Sequence, residues 1–137
     1  MSEYYVLDAC ALLSVTGNEE GADIVVNMYN KASKGEVKLL LNRINLPEVY
    51  YNFYRYQGKM YADNFIKSIK QSEIQICEFD EKLFYHAGRL KAAYKISLAD
   101  SIVLAQTITV NGALLTCDHH EFDVIERNEA IRFIWIR

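Results

Sequence analysis

The chain has little of what breaks, staples or anchors a protein. Its 137 residues include a single proline, Pro47, and only six glycines. No Pro-, Gly- or Ser-rich stretch separates two halves, and no internal repeat or low-complexity tract is visible. One domain spanning residues 1–137 is the expectation. The three cysteines, Cys10, Cys77 and Cys117, are odd in number and widely scattered. They lack the spacing of a zinc site or of a secreted disulfide framework, which implies a reducing, cytoplasmic setting. No apolar run approaches the roughly 18 residues of a membrane span. The start, MSEYYVLD, has no basic segment followed by an apolar stretch of the kind that directs export.

A charge excess of one sign is also missing. Fifteen Lys and Arg against eighteen Asp and Glu leave a net charge of −3, which argues against nucleic-acid binding by simple electrostatic attraction. A nucleic-acid substrate remains admissible if several acids are gathered in one metal pocket, because the rest of the surface is then slightly basic. What the chain does have is apolar content, 51% of its residues, enough for a real core.

That content is distributed as short strands alternating with helices. Tyr4 to Leu7, Val37 to Leu41, Ile74 to Phe79, Ala113 to Thr116 and Ile131 to Ile136 read as strands. Between the first two, Thr16 and Glu19 have capping-box spacing, and Ala22, Val25, Val26, Tyr29 and Ala32 form a helical stripe. Asn45 as N-cap, with Pro47 in the first turn, opens a helix with Val49, Phe53 and Tyr56 on one face. Further helices run from about Lys59 to Gln71, from an Asp80 cap to Tyr94, and from a Ser97 cap to a stop at Gly112. This alternation predicts a parallel sheet covered on both faces.

Four acids stand at the boundaries of these elements: Asp8 after YYVL, Glu48 in NLPEV, Asp100 in SLADS and Asp118 after LLTC. In a parallel sheet the strands deliver their carboxyl ends to one edge, so acids far apart in sequence can converge. Converging carboxylates repel unless a cation neutralises them, and a hard divalent ion such as Mg2+ or Mn2+ suits oxygen ligands and phosphate chemistry. Each acid also has a local explanation. Asp8 can cap a turn, Glu48 and Asp100 can complete capping boxes with Asn45 and Ser97, and Asp118 can bond its own loop. The common edge favours the shared pocket.

Taken in order, YYVLDACALL, INLPEVYY, LKAAYKISLADSIVLAQ and GALLTCDHHEF resemble the PIN-domain nucleases, and within them the VapC-type toxins of toxin–antitoxin pairs. The match covers nearly the whole chain. It implies a three-layer α/β/α fold around a central parallel sheet of about four to five strands, with Asp8, Glu48, Asp100 and Asp118 in the places of the family's metal-binding acids. It further implies Mg2+- or Mn2+-dependent endonucleolytic cleavage of RNA, an antitoxin whose C-terminal segment crosses the acidic groove, and a homodimer. Asp8, Asp100 and Asp118 are the expected direct ligands. Glu48 binds a second ion, acts through water, or positions the nucleophile.

Around the acids, Cys10 stands where family members often carry Ser, Thr or Asn, and a thiol is a poorer partner for water or phosphate; its other reading, the favoured one, is a small buried residue with no role. Thr116 offers a hydroxyl to orient a carboxylate or water, or is a plain strand-end threonine. Asp123 is a candidate auxiliary acid, with surface charge as its other reading. His119 and His120 lack a partner at ligand spacing and read as solvated loop residues. Tyr50, Tyr51, Tyr54 and Tyr56, with Phe53, exceed what one buried helical face needs, which marks a partner surface or a base-stacking platform, the protein partner being favoured. Competing readings are a PIN nuclease of RNA maturation or decay, and a PIN-like binding module with weak metal affinity. A phosphoacceptor receiver domain would need adjacent early acids and a late strand-end lysine, and neither is present.

Overall fold

A computed structural model describes residues 3–137. Strands β1 (Glu3–Leu7), β2 (Val37–Asn42), β3 (Gln75–Cys77), β4 (Ala113–Thr116) and β5 (Arg132–Trp135) form one parallel sheet in the order β3-β2-β1-β4-β5. Around them lie helices α1 (Ala9–Thr16), α2 (Ala22–Ser33), α3 (Asn45–Gln57), α4 (Lys59–Lys70), α5 (Glu81–Ala93), α6 (Leu98–Thr109) and α7 (His119–Asn128).

Successive strand side chains point to opposite faces, and here both faces are apolar. Leu7, Leu39, Leu41 and Leu115 pack on one side against Leu12, Val25, Val49, Phe53, Ala62 and Ile69 of α1 to α4. Val6, Leu40 and Leu114 pack on the other against Leu90, Val103, Leu104, Phe122 and Ile125 of α5 to α7. Burial on both faces is why these strands read as unbroken apolar runs, and it gives the three-layer α/β/α architecture.

The chain winds outward from β1 through β2 to β3, then returns to lay β4 and β5 on the far side of β1. The strand order therefore reverses between β1 and β4, the position at which open parallel sheets leave a crevice beyond their carboxyl ends. The approach of these two strands is tight. A Cβ on Gly112 would stand 2.4 Å from the Tyr4 carbonyl oxygen, so Gly112 serves close packing rather than the helix stop expected of it. Asn111, at φ 51, supplies the left-handed turn after α6.

Other boundaries also differ from expectation. Thr16 ends α1, its hydroxyl donating to the Leu13 carbonyl at 2.9 Å, and it does not box with Glu19. Helix α2 starts from Gly21 at φ 91. Val26, placed on the buried stripe of α2 by its spacing, is exposed, and Met28 is buried instead. Asn45 lies inside α3, whose N-cap is Ile44. The segment that follows Asp118, with His119 and His120 expected in a loop, forms α7, which seats Phe122 and Ile125 in the core. No helix among the described residues is long and apolar enough to cross a membrane.

Candidate active site

The carboxyl edge of the sheet receives the N-termini of four helices. Helices α1, α3 and α7 follow β1, β2 and β4 directly. Helix α6 runs back toward the start of β4, so its first turn lies at the same edge. Asp100 thus reaches the edge from a helix that precedes a strand, not from a strand end as its spacing suggested.

Asp8 ends β1 and caps α1. Its backbone is extended (φ −99, ψ 178), and its Oδ1 accepts from the Ala11 amide at 2.8 Å. Its Oδ2 accepts from the Thr116 hydroxyl, and the residue is only 4% exposed. Thr116 Oγ1 in turn accepts from the Asp118 amide at 3.1 Å, and Asp118 Oδ1 accepts from Glu121 N at 3.2 Å at the start of α7. A continuous line of hydrogen bonds joins the end of β1 to the end of β4. Of the two readings of Thr116, orientation of a carboxylate is the one the geometry supports.

The acids influence one another. Burial pushes the Asp8 carboxyl up to about 7 against the pull of Thr116 and Ala11, and the charges of Asp100 and Asp118 add to the rise. Asp100 is half-buried and pushed up to about 6, first by desolvation and then by Asp118, Glu121 and Glu48, with the Ser97 hydroxyl acting in the opposite direction. Glu48 is raised by desolvation and by Asp118, although its side chain is exposed. All four sequence-predicted acids therefore share one field. Among the described residues, no three Asp, Glu, His or Cys side chains yet stand close enough to enclose an ion.

The local explanations fare unequally. Ser97 Oγ caps α6 by accepting from the Asp100 amide at 3.0 Å, which leaves the Asp100 carboxylate outside that backbone bond. Glu48 makes no hydrogen bond to the Asn45 amide among the described contacts, and the capping box proposed there is absent. Asp123 pairs with His119 Nδ1 at 2.9 Å, and it is not among the charges acting on Asp8, Glu48 or Asp100. His119 also contacts the Arg137 carbonyl at 2.9 Å and stacks on Trp135, so it is a packed helix residue, not a free loop one. Tyr50 donates to Asp63 at 2.6 Å, whereas Tyr51, Tyr54 and Tyr56 are exposed.

Three features escaped the sequence. Glu121 belongs to the acidic field, signalled only by its place one turn into a helix whose start had been read as a loop. Beneath the edge, buried Asn42 donates to Gln106 Oε1 at 3.0 Å and accepts from the Ile44 amide, linking the end of β2 to α6; a polar residue closing VKLLLN was the available sign. Cys10 and Cys117, expected to be separate thiols, are joined in a disulfide with Cα atoms 6.1 Å apart. Their partnership follows from the adjacency of β1 and β4, which brings together positions 107 residues apart.

The PIN domain family model matches residues 5–128. The chain belongs to the PIN-domain family. This family consists of nucleases, and the five-stranded parallel sheet between two helical layers is consistent with its fold. No curated protein sequence is significantly similar to this PIN domain. In structure it is similar to a chain of DNA-bound VapBC from Salmonella typhimurium, with TM-score 0.76, 15% identity and 100% of both chains covered. A similar chain occurs in VapBC2 from Rickettsia felis bound to a promoter DNA fragment, with TM-score 0.76, 17% identity and coverage of 96% and 97%. Another occurs in a toxin–antitoxin complex from Klebsiella pneumoniae, with TM-score 0.72, 14% identity and coverage of 97% and 98%. At these identities the likeness is one of fold.

Proposed function

We propose that residues 1–137 act as one PIN unit, a Mg2+- or Mn2+-dependent endoribonuclease that serves as the toxin of a type II toxin–antitoxin pair. The observation that carries the reading is the gathering of Asp8, Glu48, Asp100 and Asp118 at one carboxyl edge, where burial raises Asp8, Asp100 and Glu48 and the charge of Asp118 adds to each rise. Carboxylates that oppose one another's ionisation in this way form a site that a cation would relieve. The donor set is entirely oxygen and acidic, which fits a hard divalent ion.

In this reading Asp8, Asp100 and Asp118 hold the ion and Glu48, the most exposed of the four, orients the attacking water. When bound, the metal lowers the pKa of water and offsets charge on the phosphodiester during in-line displacement. Ala11 and Thr116 hold the Asp8 carboxylate in a fixed orientation, and Thr116 couples it to the β4–α7 junction. The N-terminal amides of α1, α3, α6 and α7 supply positive dipole ends for phosphate oxygens. The partner is an antitoxin, consistent with the complexes in which similar folds occur. Exposed Tyr51 and Tyr54 on α3 contribute to that contact or to a homodimer.

The test is cleavage of RNA with and without Mg2+ or Mn2+. Metal-dependent cleavage that falls by about 100-fold or more in both Asp8→Asn and Asp100→Asn is expected, since the lost term is several kcal/mol of charge stabilisation. Undiminished cleavage by the two variants rules the mechanism out. The separation of the carboxylates favours one competing reading, a PIN-like binding module with little metal affinity. Calorimetric titration with Mn2+ separates the two, because a module of that kind takes up almost none.

A further inference from the structure

The Cys10–Cys117 pair lies on the acidic site rather than elsewhere in the core. Cys10 is two residues after Asp8 in the first turn of α1, and Cys117 immediately precedes Asp118 between β4 and α7. Both cysteines are part-exposed, and Cys117 also packs against the core beneath the edge. Their Cα separation of 6.1 Å lies in the range that a disulfide spans without backbone movement. The bridge runs beside the Asp8–Thr116–Asp118 hydrogen-bond line and ties together the same two segments covalently.

In this bridged state both Asp8 oxygens are engaged, by Ala11 N and the Thr116 hydroxyl, and Asp118 Oδ1 is engaged by Glu121 N. No three ligating side chains among the described residues are gathered tightly enough for one ion. Asp8 and Asp118 stand on the two segments that the bridge ties together, so the Cys10–Cys117 bond restricts the freedom of these two acids to adjust around an ion.

We propose that Cys10 and Cys117 form a reversible redox couple whose disulfide locks the edge in a form of low divalent-metal affinity, and whose reduction releases the acids to bind. The affinity half of this proposal rests on the metal-site reading above. With a hydroperoxide as oxidant, one thiol sulfur attacks a peroxide oxygen and the O–O bond breaks, giving a sulfenic acid and one molecule of water or alcohol. The second thiol sulfur then displaces the sulfenic hydroxyl as water, forming the S–S bond. Two electrons pass from the two thiols to the peroxide, and the two thiol protons leave in the products. A dithiol reverses the step by exchange and is itself oxidised to a disulfide.

The experiment uses the full chain in a Cys77→Ser background, treated with hydrogen peroxide and then with dithiothreitol. Three readouts are taken: non-reducing peptide mass spectrometry, melting of the metal-free protein, and Mn2+ affinity by calorimetry. A linked Cys10–Cys117 peptide is expected. The oxidised form should melt about 10 °C higher, because the bridge closes a long loop in the unfolded chain. It should bind Mn2+ about tenfold more weakly than the reduced form. Dithiothreitol reverses all three effects, and Cys10→Ser and Cys117→Ser each abolish them. Absence of the linked peptide overturns the couple, and equal or tighter Mn2+ binding by the oxidised form overturns its control of the site. If the reduced protein binds no Mn2+, the metal-site reading fails and takes the affinity half with it, while the linked peptide and the melting shift still decide the bridge.

Discussion

The buried carboxylate of Asp8 makes the stability of the metal-free protein depend on pH in an unusual direction. Asp8 is held in its protonated form to about pH 7 in the folded chain, against about 3.9 for a free aspartate. Between those values the folded state binds the proton that the unfolded state has released, so stability falls as pH rises through the window. Below about pH 4 the contribution is fully present, and above about pH 7 it is lost. At roughly 1.4 kcal/mol per pH unit, the gap amounts to about 4 kcal/mol. For a chain of 137 residues with an unfolding entropy of roughly 0.3 kcal/mol per kelvin, that corresponds to about 10–15 °C in melting temperature. Asp8→Asn removes the charge while keeping an acceptor for the Ala11 amide. Scanning calorimetry of both proteins in EDTA and dithiothreitol, from pH 4 to pH 8, isolates the Asp8 contribution as the difference between them. The variant should match the wild type near pH 4 and melt about 10 °C above it at pH 8. Saturating Mn2+ should raise the wild type at pH 8 and leave the variant unchanged. Asp100, half-buried and pushed up to about 6, adds a smaller slope of the same sign to both proteins. A variant no more stable than the wild type at pH 8 would refute the view that Asp8 is a strained, metal-seeking acid.

Two further outcomes follow from the same geometry. Thr116→Val removes the hydroxyl that donates to Asp8 and accepts from the Asp118 amide, at a cost of about 1–3 kcal/mol in stability. It also raises Asp8 further, so Mn2+ titrations at pH 7 should show weaker binding that recovers at higher pH, with Thr116→Ser restoring both properties. Gly112→Ala drives a methyl against the Tyr4 carbonyl oxygen and should destabilise by about 1–3 kcal/mol in thermal unfolding; an unchanged melting temperature would contradict the tight β1–β4 approach.

Legibility in the sequence followed the reach of each signal. Buried parallel strands advertise themselves locally, so Val37 to Leu41 and Ala113 to Thr116 fell within a residue of β2 and β4. The caps at Asp80 and Ser97 were equally plain, since each is a single side chain bonding an amide three residues on. Helix α1 was not legible because ACALLSVT is buried or part-buried up to Val15 and carries no clear polar face. Helix α7 failed for the opposite reason: only Phe122 and Ile125 are buried in a run of polar residues. The acids were identifiable as a set, but the route by which Asp100 joins them was not, because it depends on α6 running back along the sheet. The Cys10–Cys117 contact and the Asn42–Gln106 pair are purely tertiary, and no local pattern encodes them.

The central claim, that Asp8, Asp100 and Asp118 with Glu48 form one divalent-metal pocket, is tested most directly by a crystal of the reduced protein soaked in Mn2+ and measured for anomalous scattering. The account predicts a peak at the carboxyl edge between β1 and β4, about 2.0–2.6 Å from oxygens of at least two of these acids. A saturated crystal with no peak there, or with Mn2+ bound only at other carboxylates, would contradict it.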